Sequence, residues 1–505
     1  MDARSLDIEA HRLSVVAERP SGPVERWLKY VSFPFGLVAF AALYAMPLPD
    51  GLTLSGQAAL AAFVLALIWW IGEPIPTYVT SLVLMVALVL TNAWAEDRVL
   101  AVLGLDVIWL NVMAFVLSAI LTKTHLAKRL ALLLLARFGA RASTTLLALL
   151  VVQLILAPLI PATAARAVMT LPLLLVVSAI YKSTSQSPTN FGRNLFLQNL
   201  FGINIFSSGF MTGSTANLMA VGFILTMADH RVYYTDWMFA NLPVAIVGMA
   251  IAWWIGPRWI FRIRAEDAHP QLEGGLETLR TQLAEMGRMT PAERKGIAIF
   301  GLVVFLWVTD RFHMAWFGFG IDAVMAAMIG VIIAFAPKVG LLTWNDTDIP
   351  WHLLIFSAGA YAGGMALDQT GAARWAVQKI FEGLHLGRDM NFWTVYAVII
   401  ALNMYAHFVF TSKTMRTVIM LPMVIGIAKY LGFNPVALAL PAAFTIDWVI
   451  GLPISAKPNL IIFSTGQFSV LDQLKFSVLM TTVGTLLLIV AGFTWFHFLG
   501  ITPAW

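Results

Sequence analysis

The fold is decided by two stretches of this chain, "PATAARAVMTLPLLLV" at 161–176 and "TSKTMRTVIMLPMVIG" at 411–426. Set on their Leu-Pro pairs, Leu171-Pro172 and Leu421-Pro422, they lie 250 residues apart. Arg166 then falls on Arg416, Val168 on Val418 and Thr163 on Lys413. A second match follows in the same order. "TGSTANLMAVG" (212–222) overlies "ISAKPNLIIFS" (454–464), with Asn217 on Asn459 and Thr215 on Lys457. Either coincidence alone is cheap in apolar sequence. Two in the same order, each where polar residues interrupt an apolar run, read as an internal repeat.

The sequence around these stretches is a membrane sequence. Of 505 residues, 59% are hydrophobic and only 12% are charged. The charged share is about half that of a soluble domain. No soluble interior is large enough for so much apolar sequence, which excludes a nucleic-acid-binding protein, a secreted scaffold and a soluble enzyme. The net charge of +5 comes from loops beside apolar runs, where the positive-inside bias puts basic residues. With no cysteine, disulfides, thiolate metal sites and cysteine nucleophiles are excluded.

A helix needs ~20 apolar residues to cross the hydrocarbon core. Runs of that kind predict eleven spans near 31–48, 56–72, 77–94, 105–122, 196–227, 238–259, 297–310, 320–336, 352–367, 436–465 and 475–499. Segments 143–180 and 392–430 are interrupted in their middles. Amphipathic stretches precede them, Lys123–Arg141 and Arg374–Arg388. They read as re-entrant hairpins behind surface helices, since non-helical backbone at membrane depth must line a cavity or lie inside protein. The expected division is a cytoplasmic tail (1–30), a first half (31–262), a charged cytoplasmic linker (263–296) and a second half (297–505). Basic clusters at Arg4–Lys29, Lys123–Arg141, Lys182–Arg193 and Arg258–Lys295 put the N-terminus in the cytoplasm and the C-terminus outside. The fold class is therefore an all-α polytopic membrane protein of the inner membrane. It is built from two inverted repeats with discontinuous helices, the pattern of a secondary transporter.

Cations sit where they are expensive. Arg166, Lys413, Arg416 and Lys457 lie in or beside the interrupted segments, and each costs ~2.5–3.5 kcal/mol at the bilayer centre. Asp447 is the one carboxylate well inside a nearby span. The surplus positive charge predicts a cavity that draws anions, and arginine's planar fork suits a carboxylate. In the alternative reading Arg166 and Arg416 only cap hairpin carbonyls, and Lys457 snorkels to an interface. Short residues at the interruptions (Thr163, Ala164, Ser412, Thr414, Gly213, Ser214, Thr215, Ser455) expose amides at half-helix N-termini, which also bind anions. Pro458, Asn459 and Asn217 complete the candidate substrate site. Asp447 and His407 are the candidate charge partner or proton site, although a lone histidine is more often packed and satisfied. Asp310, Arg311, Asp322 and Asp368 fall at span ends and read as solvated, and most of the 18 tryptophans read as interface anchors. There is no zinc motif, P-loop or nucleophile elbow, so neither an enzyme, a metal nor a cofactor is expected.

At this point the chain resembles the divalent anion/sodium symporters, the dicarboxylate and citrate carriers, from about Val31 onward. "PLPDGLTLSGQAALAAFVLALIWWIGEPIPTYVTSLV" (47–83) is similar to that family's opening helices, and "LTKTHLAKRLALLLLARFG" (121–139) to its first surface helix. "TQLAEMGRMTPAERKGIAIF" (281–300) resembles the linker of its citrate/succinate-type exchangers. "TGSTANLMAVG" and "GLPISAKPNLIIFSTG" (451–466) resemble its two unwound segments. The resemblance implies a homodimer, an elevator motion, and di- or tricarboxylate substrates. It also implies a Ser-Asn-Thr triplet at each hairpin tip that binds sodium and substrate. Here the matching residues are Ala162-Thr163-Ala164 and Ser412-Lys413-Thr414, and both asparagines are missing. Lys413 stands where a sodium ion would sit, so it reads as a tethered cation in a sodium-independent exchanger. A sodium- or proton-coupled symporter, or a carrier of a sulfonate or another organic anion, is the alternative. A membrane enzyme would need paired acid/base groups or a metal site. A receptor would need a signalling domain longer than this linker.

Overall fold

The computed structural model describes residues 23–504 except 273, 384–388 and 411. Most of the expected tail and the end of the stretch Arg374–Arg388 thus lie outside the described residues. Among the described residues every regular element is helical and there is no strand. Seven helices are long and apolar enough to cross a bilayer, or eight if the bent pair Pro291–Val308 and Asp310–Phe317 counts as one span. Six more apolar helices are shorter, at 10–17 residues. Most of these belong to the hairpins and the interrupted helices, where each segment goes only part-way.

Local chemistry sets the helix ends. In Leu54–Gly72 the Thr53 hydroxyl accepts from Gly56 N at 3.0 Å. The helix stops at Glu73, in the left-handed region at φ 46°, with Pro74 next. Its 19 residues give about 28 Å of length, close to one hydrocarbon core. The second half opens at Pro291–Val308, behind a capping box of Thr290 and Glu293. This start is six residues before the expected 297, because the proline and the acid that look like linker are the helix's first turn. The linker itself holds a helix, Gly275–Glu285. The first helix runs Pro23–Ala45 rather than 31–48, so Trp27 and Lys29 belong to a helix and not to a tail.

The two halves pack on each other reciprocally. Thr77–Leu90 lies on Trp351–Gln369, and Asp106–Thr124 on Ala323–Phe335. Glycines permit both contacts. A Cβ on Gly359 would stand 2.4 Å from Ser81 Cβ, and one on Gly330 3.2 Å from a Leu117 methyl. Small residues at such crossings let helices approach where lipid supplies no hydrophobic drive.

The interrupted segments follow the same reciprocity. The first hairpin pairs Ala142–Leu156 with Thr163–Ile180, and Pro158 and Pro161 break the turn between them. The second pairs Phe392–Ala406 with Lys413–Leu431. The first interrupted helix is Asn190–Ser208 followed by Thr215–Ala228, and the second is Pro435–Phe444 followed by Lys457–Phe463. Thr163–Ile180 packs on Lys457–Phe463, and Lys413–Leu431 packs on Thr215–Ala228. Each hairpin thus leans on the interrupted helix of the other half. The surface helix Leu126–Phe138 is locked to the linker by Arg129, buried at 7% exposure. Arg129 meets Glu293 at 2.6 Å and donates to the Gly287 and Met286 carbonyls at 2.9 and 3.0 Å.

Some peripheral expectations are corrected. Asp310 is not solvated. It is buried, and it accepts from Tyr234 N at 2.7 Å and from the Thr235 hydroxyl, so it caps helix Tyr234–Ile255. Arg311 is exposed as expected and pairs with Asp236, and the partly exposed Asp368 and Asp322 pair with Lys429 and cap Ala323–Phe335 respectively. Several tryptophans are core rather than interface residues: Trp70, Trp237, Trp307 and Trp448 are fully buried.

Candidate functional site

The unwound segments carry backbone carbonyls with no helical partner, and a buried carbonyl needs a donor. Two asparagines supply donors at equivalent places. Asn217 Nδ2 donates to Phe210 O at 3.1 Å and to Ser207 O at 2.9 Å. Asn459 Nδ2 donates to Leu452 O at 3.0 Å. Phe210 and Leu452 stand as far apart in sequence as Asn217 and Asn459, 242 residues. The residues that open the second half-helices also match. Ser214 (φ −150°, ψ 152°) and Ala456 (φ −158°, ψ 155°) have nearly the same extended backbone.

The two arginines perform the same repair from the hairpins. Arg166 Nη2 donates to Ile203 O at 2.8 Å, to Gly213 O at 3.3 Å and to the Ser207 hydroxyl. Arg416 Nη2 donates to Thr445 O at 3.1 Å and Ile446 O at 2.5 Å, and its Nη1 to Asn403 O at 3.3 Å. Ile203 and Thr445 are again 242 residues apart. The carbonyls belong mostly to the adjoining interrupted helix, not to the hairpin's own turn. Both side chains are essentially unexposed, at 0% and 1%. Arg166 Nε and Nη1 and Arg416 Nε have no hydrogen-bond partner among the described residues.

Charge gathers at the second tip. Lys413 Nζ donates to Asp447 Oδ1 at 2.6 Å and lies 3.5 Å from Asn204 Oδ1. The lysine side chain is 10% exposed and the aspartate 0%. Asp447 Oδ2 accepts from the Ser214 hydroxyl at 2.9 Å. One carboxylate therefore joins a hairpin tip, its own unwound segment and the interruption of the other half. Asn204 extends the cluster: its Nδ2 donates to Val449 O at 2.9 Å and to Asn459 Oδ1 at 3.2 Å. The tip is capped by Ser412, whose hydroxyl accepts from Met415 N at 3.3 Å and pairs with the Thr414 hydroxyl at 2.9 Å.

The remaining candidates are placed as follows. Thr163 and Thr215 open their half-helices, are 6% and 8% exposed, and make no side-chain hydrogen bond among the described residues. Ala164 is half-buried beside Thr163. Lys457 is exposed and has no ion pair among the described residues, while Pro458 and Asn459 behind it are buried. It lies within electrostatic reach of His352, at the start of Trp351–Gln369. His407 does not touch Asp447. Its Nδ1 meets Met404 O, its ring lies on Phe408, and it is buried. Asn204 and Ser207 were not singled out from the sequence. Their signal is a run of amides and hydroxyls, "NLFLQNLFGINIFSS" (194–208), in an otherwise apolar helix.

Two buried arginines and the half-buried Lys413 thus lie around one carboxylate, while Lys457 stays exposed. Three half-helices of 14 to 19 residues begin in the same region, at Thr163, Thr215 and Lys413. Their N-termini add partial positive charge. The arrangement is electropositive, low in dielectric and rich in donors, which is chemistry for holding an anion. No group of three or more metal-ligating side chains occurs among the described residues.

Comparison with known proteins agrees with this chemistry. The model of the sodium:sulfate symporter transmembrane region matches residues 25–502. A "Membrane protein" of Cupriavidus necator is 25% identical over 486 residues, 92% of each chain. The sodium-dependent dicarboxylate transporter SdcS of Staphylococcus saprophyticus is 25% identical over 462 residues, 86% of each chain. SdcS of Staphylococcus aureus is 24% identical over 476 residues, 90% of this chain and 89% of that one. Among solved structures, the YdaH transporter of Alcanivorax borkumensis superposes with a TM-score of 0.53 at 11% identity, over 95% of this chain and 99% of that one. At that identity the likeness concerns the fold alone.

Proposed function

We propose that this chain, which belongs to the sodium:sulfate symporter family of multi-pass membrane transporters, carries di- or tricarboxylate anions across the cytoplasmic membrane by sodium-independent exchange. It is a transporter and not an enzyme. The observation that supports the proposal best is the Lys413–Asp447 pair, 2.6 Å apart at the second hairpin tip. A fixed ammonium occupies the place where the family resemblance implies a mobile sodium ion. It needs no ion gradient to be present.

In this reading the substrate lies between the two tips. Thr163, Ala164, Ser412 and Thr414 offer half-helix amides and hydroxyls to its carboxylates, and Thr215 does so from the first interruption, whose backbone Ser214 and Asn217 hold in place through Asp447 and the Ser207 and Phe210 carbonyls. Lys413 supplies the inner charge. Lys457 reaches the outer carboxylate from the exposed edge, with Pro458 and Asn459 holding its half-helix. Arg166 and Arg416 hold the interrupted backbone open and add charge at short range. The hairpins and interrupted helices move together as an elevator against the rest, in a homodimer with the N-terminus cytoplasmic and the C-terminus outside.

A second reading has one specific support. The staphylococcal relatives are named sodium-dependent. Sodium symport would require oxygen ligands, and the hydroxyls of Thr163 and Thr215, which have no partner among the described residues, are available for that role. Substitution at the tip separates the two. Lys413→Asn restores the family's residue. On the exchange reading it abolishes transport or makes it sodium-dependent. Unchanged, sodium-independent transport by Lys413→Asn removes Lys413 from the mechanism.

A further inference from the structure

The two interrupted helices satisfy equivalent carbonyls by different means. In the first, Asn217 Nδ2 serves both Ser207 O and Phe210 O, at 2.9 and 3.1 Å. Their equivalents, 242 residues on, are Val449 O and Leu452 O. Asn459 serves Leu452 O alone, at 3.0 Å. Val449 O accepts instead from Asn204 Nδ2 at 2.9 Å, and Asn204 belongs to helix Asn190–Ser208 of the other half. The same nitrogen reaches Asn459 Oδ1 at 3.2 Å, whereas Asn217 Oδ1 has no partner among the described residues. On its other side, Asn204 Oδ1 lies 3.5 Å from Lys413 Nζ. Asn204 is fully buried. Its counterpart in the second half is Ile446, which has no amide to offer.

These contacts form one continuous chain. It runs from Lys413 at the second hairpin tip, through Asn204, to Asn459 in the half-helix that Lys457 opens. Asn204 Nδ2 also lies 3.2 Å from Leu200 O, one turn back, which holds the side chain in one orientation. An amide carries a donor and an acceptor at a fixed separation, so it ties both groups at once. An apolar side chain of the same volume ties neither. We propose that Asn204 is a positioning residue that fixes the spacing between the Lys413 ammonium and the half-helix start bearing Lys457, and with it the length of anion that meets both cations. This inference rests on the transporter reading, in which the two lysines take opposite carboxylates, and adds a length selection to it. Cations held at a set separation favour the dicarboxylate that spans it, because no binding energy goes into bringing them there. A methylene more or less leaves one carboxylate off its cation. Without the link, the hairpin tip and the half-helix adjust separately, and anions of different length are held about equally well.

The test is calorimetric titration of the purified full-length chain with malonate, succinate, glutarate and citrate, each separately. Among the three dicarboxylates, the unmodified chain should bind the best at least about tenfold tighter than the worst, a difference of about 1.4 kcal/mol. In Asn204→Leu that ratio should fall to about twofold or less, with the loss falling mainly on the best-bound anion. Asn204→Ala leaves space for a water at the Val449 carbonyl, and serves if the Leu variant does not fold. Weakening of all three by the same factor would mark a purely structural role and overturns the proposal. An unchanged ratio in the variant overturns it too, as does an unmodified chain that binds the three alike. Binding of citrate alone overturns the length selection and leaves the transporter reading standing. Failure to bind any of the four anions overturns the transporter reading, and the positioning role with it.

Discussion

The two hairpins are built alike and charged differently. Arg166 and Arg416 donate to carbonyls at matching places, as do Asn217 and Asn459. At the tip, however, Thr163 faces Lys413, and in the interrupted helices Ile205 stands opposite Asp447. The shared devices repair backbone. The unshared ones carry charge. Repair is obligatory in both halves, because a carbonyl freed at membrane depth costs several kcal/mol if left alone. An ion pair is needed only where an ion is handled, so one copy is enough.

The comparison breaks most visibly at the ion pair. Lys413→Ala leaves Asp447 buried without its cation and should cost about 3–5 kcal/mol of stability. The double variant Lys413→Ala/Asp447→Ala should lose clearly less. Thermal unfolding in detergent of the two variants and the unmodified chain reads this. Equal losses would mean that the pair is not coupled. Thr163→Ala, at the matching position of the first tip, should change stability little, because its hydroxyl has no partner among the described residues.

The arginines sharpen the likeness rather than the difference. Arg166→Met and Arg416→Met each strip donors from buried carbonyls and should each cost about 2–3 kcal/mol. The two losses should agree within about 1 kcal/mol if the repair is the same in both halves. A large effect at one and none at the other, in the same unfolding assay, would sink the equivalence.

The smallest contrast lies just before the second half-helices. Gly213 and Ser455 are equivalent, but a Cβ on Gly213 would fall 2.2 Å from Ser207 O. Gly213→Ala should therefore cost about 1–3 kcal/mol through forced backbone movement. Ser455→Ala loses one hydrogen bond, from Leu452 N at 3.0 Å, and should cost only about 1 kcal/mol. A tolerated Gly213→Ala would show that the first interruption has room to move.

What the sequence made legible was apolar length and its interruptions. Those need only composition and the Leu-Pro and Asn-Leu matches, and the all-helical membrane class follows from them. Lys413 and Asp447 stand out because charge in apolar sequence is conspicuous, but the sequence does not say which of the four cations Asp447 meets. Only the fold brings Lys413 to it and leaves Lys457 exposed. The carbonyls that hold Arg166 and Arg416 were invisible, because a backbone acceptor has no sequence signature. Asn204 does not stand out, because it is one of four amides in 194–208 and such a run reads equally as packing between helices. Asp310 misled for the opposite reason. An acid at a span end looks solvated unless the helix it caps, 76 residues away, is known to be there.

The central claim is that a fixed ammonium stands in for sodium in a carboxylate exchanger. Liposomes containing the purified chain test it most directly. They are preloaded with unlabelled succinate or citrate, or left empty, and labelled anion uptake is followed with and without external sodium. The account predicts uptake into preloaded vesicles only, unaffected by sodium. Uptake into empty vesicles that requires sodium would contradict it and would place the chain with sodium-coupled carriers.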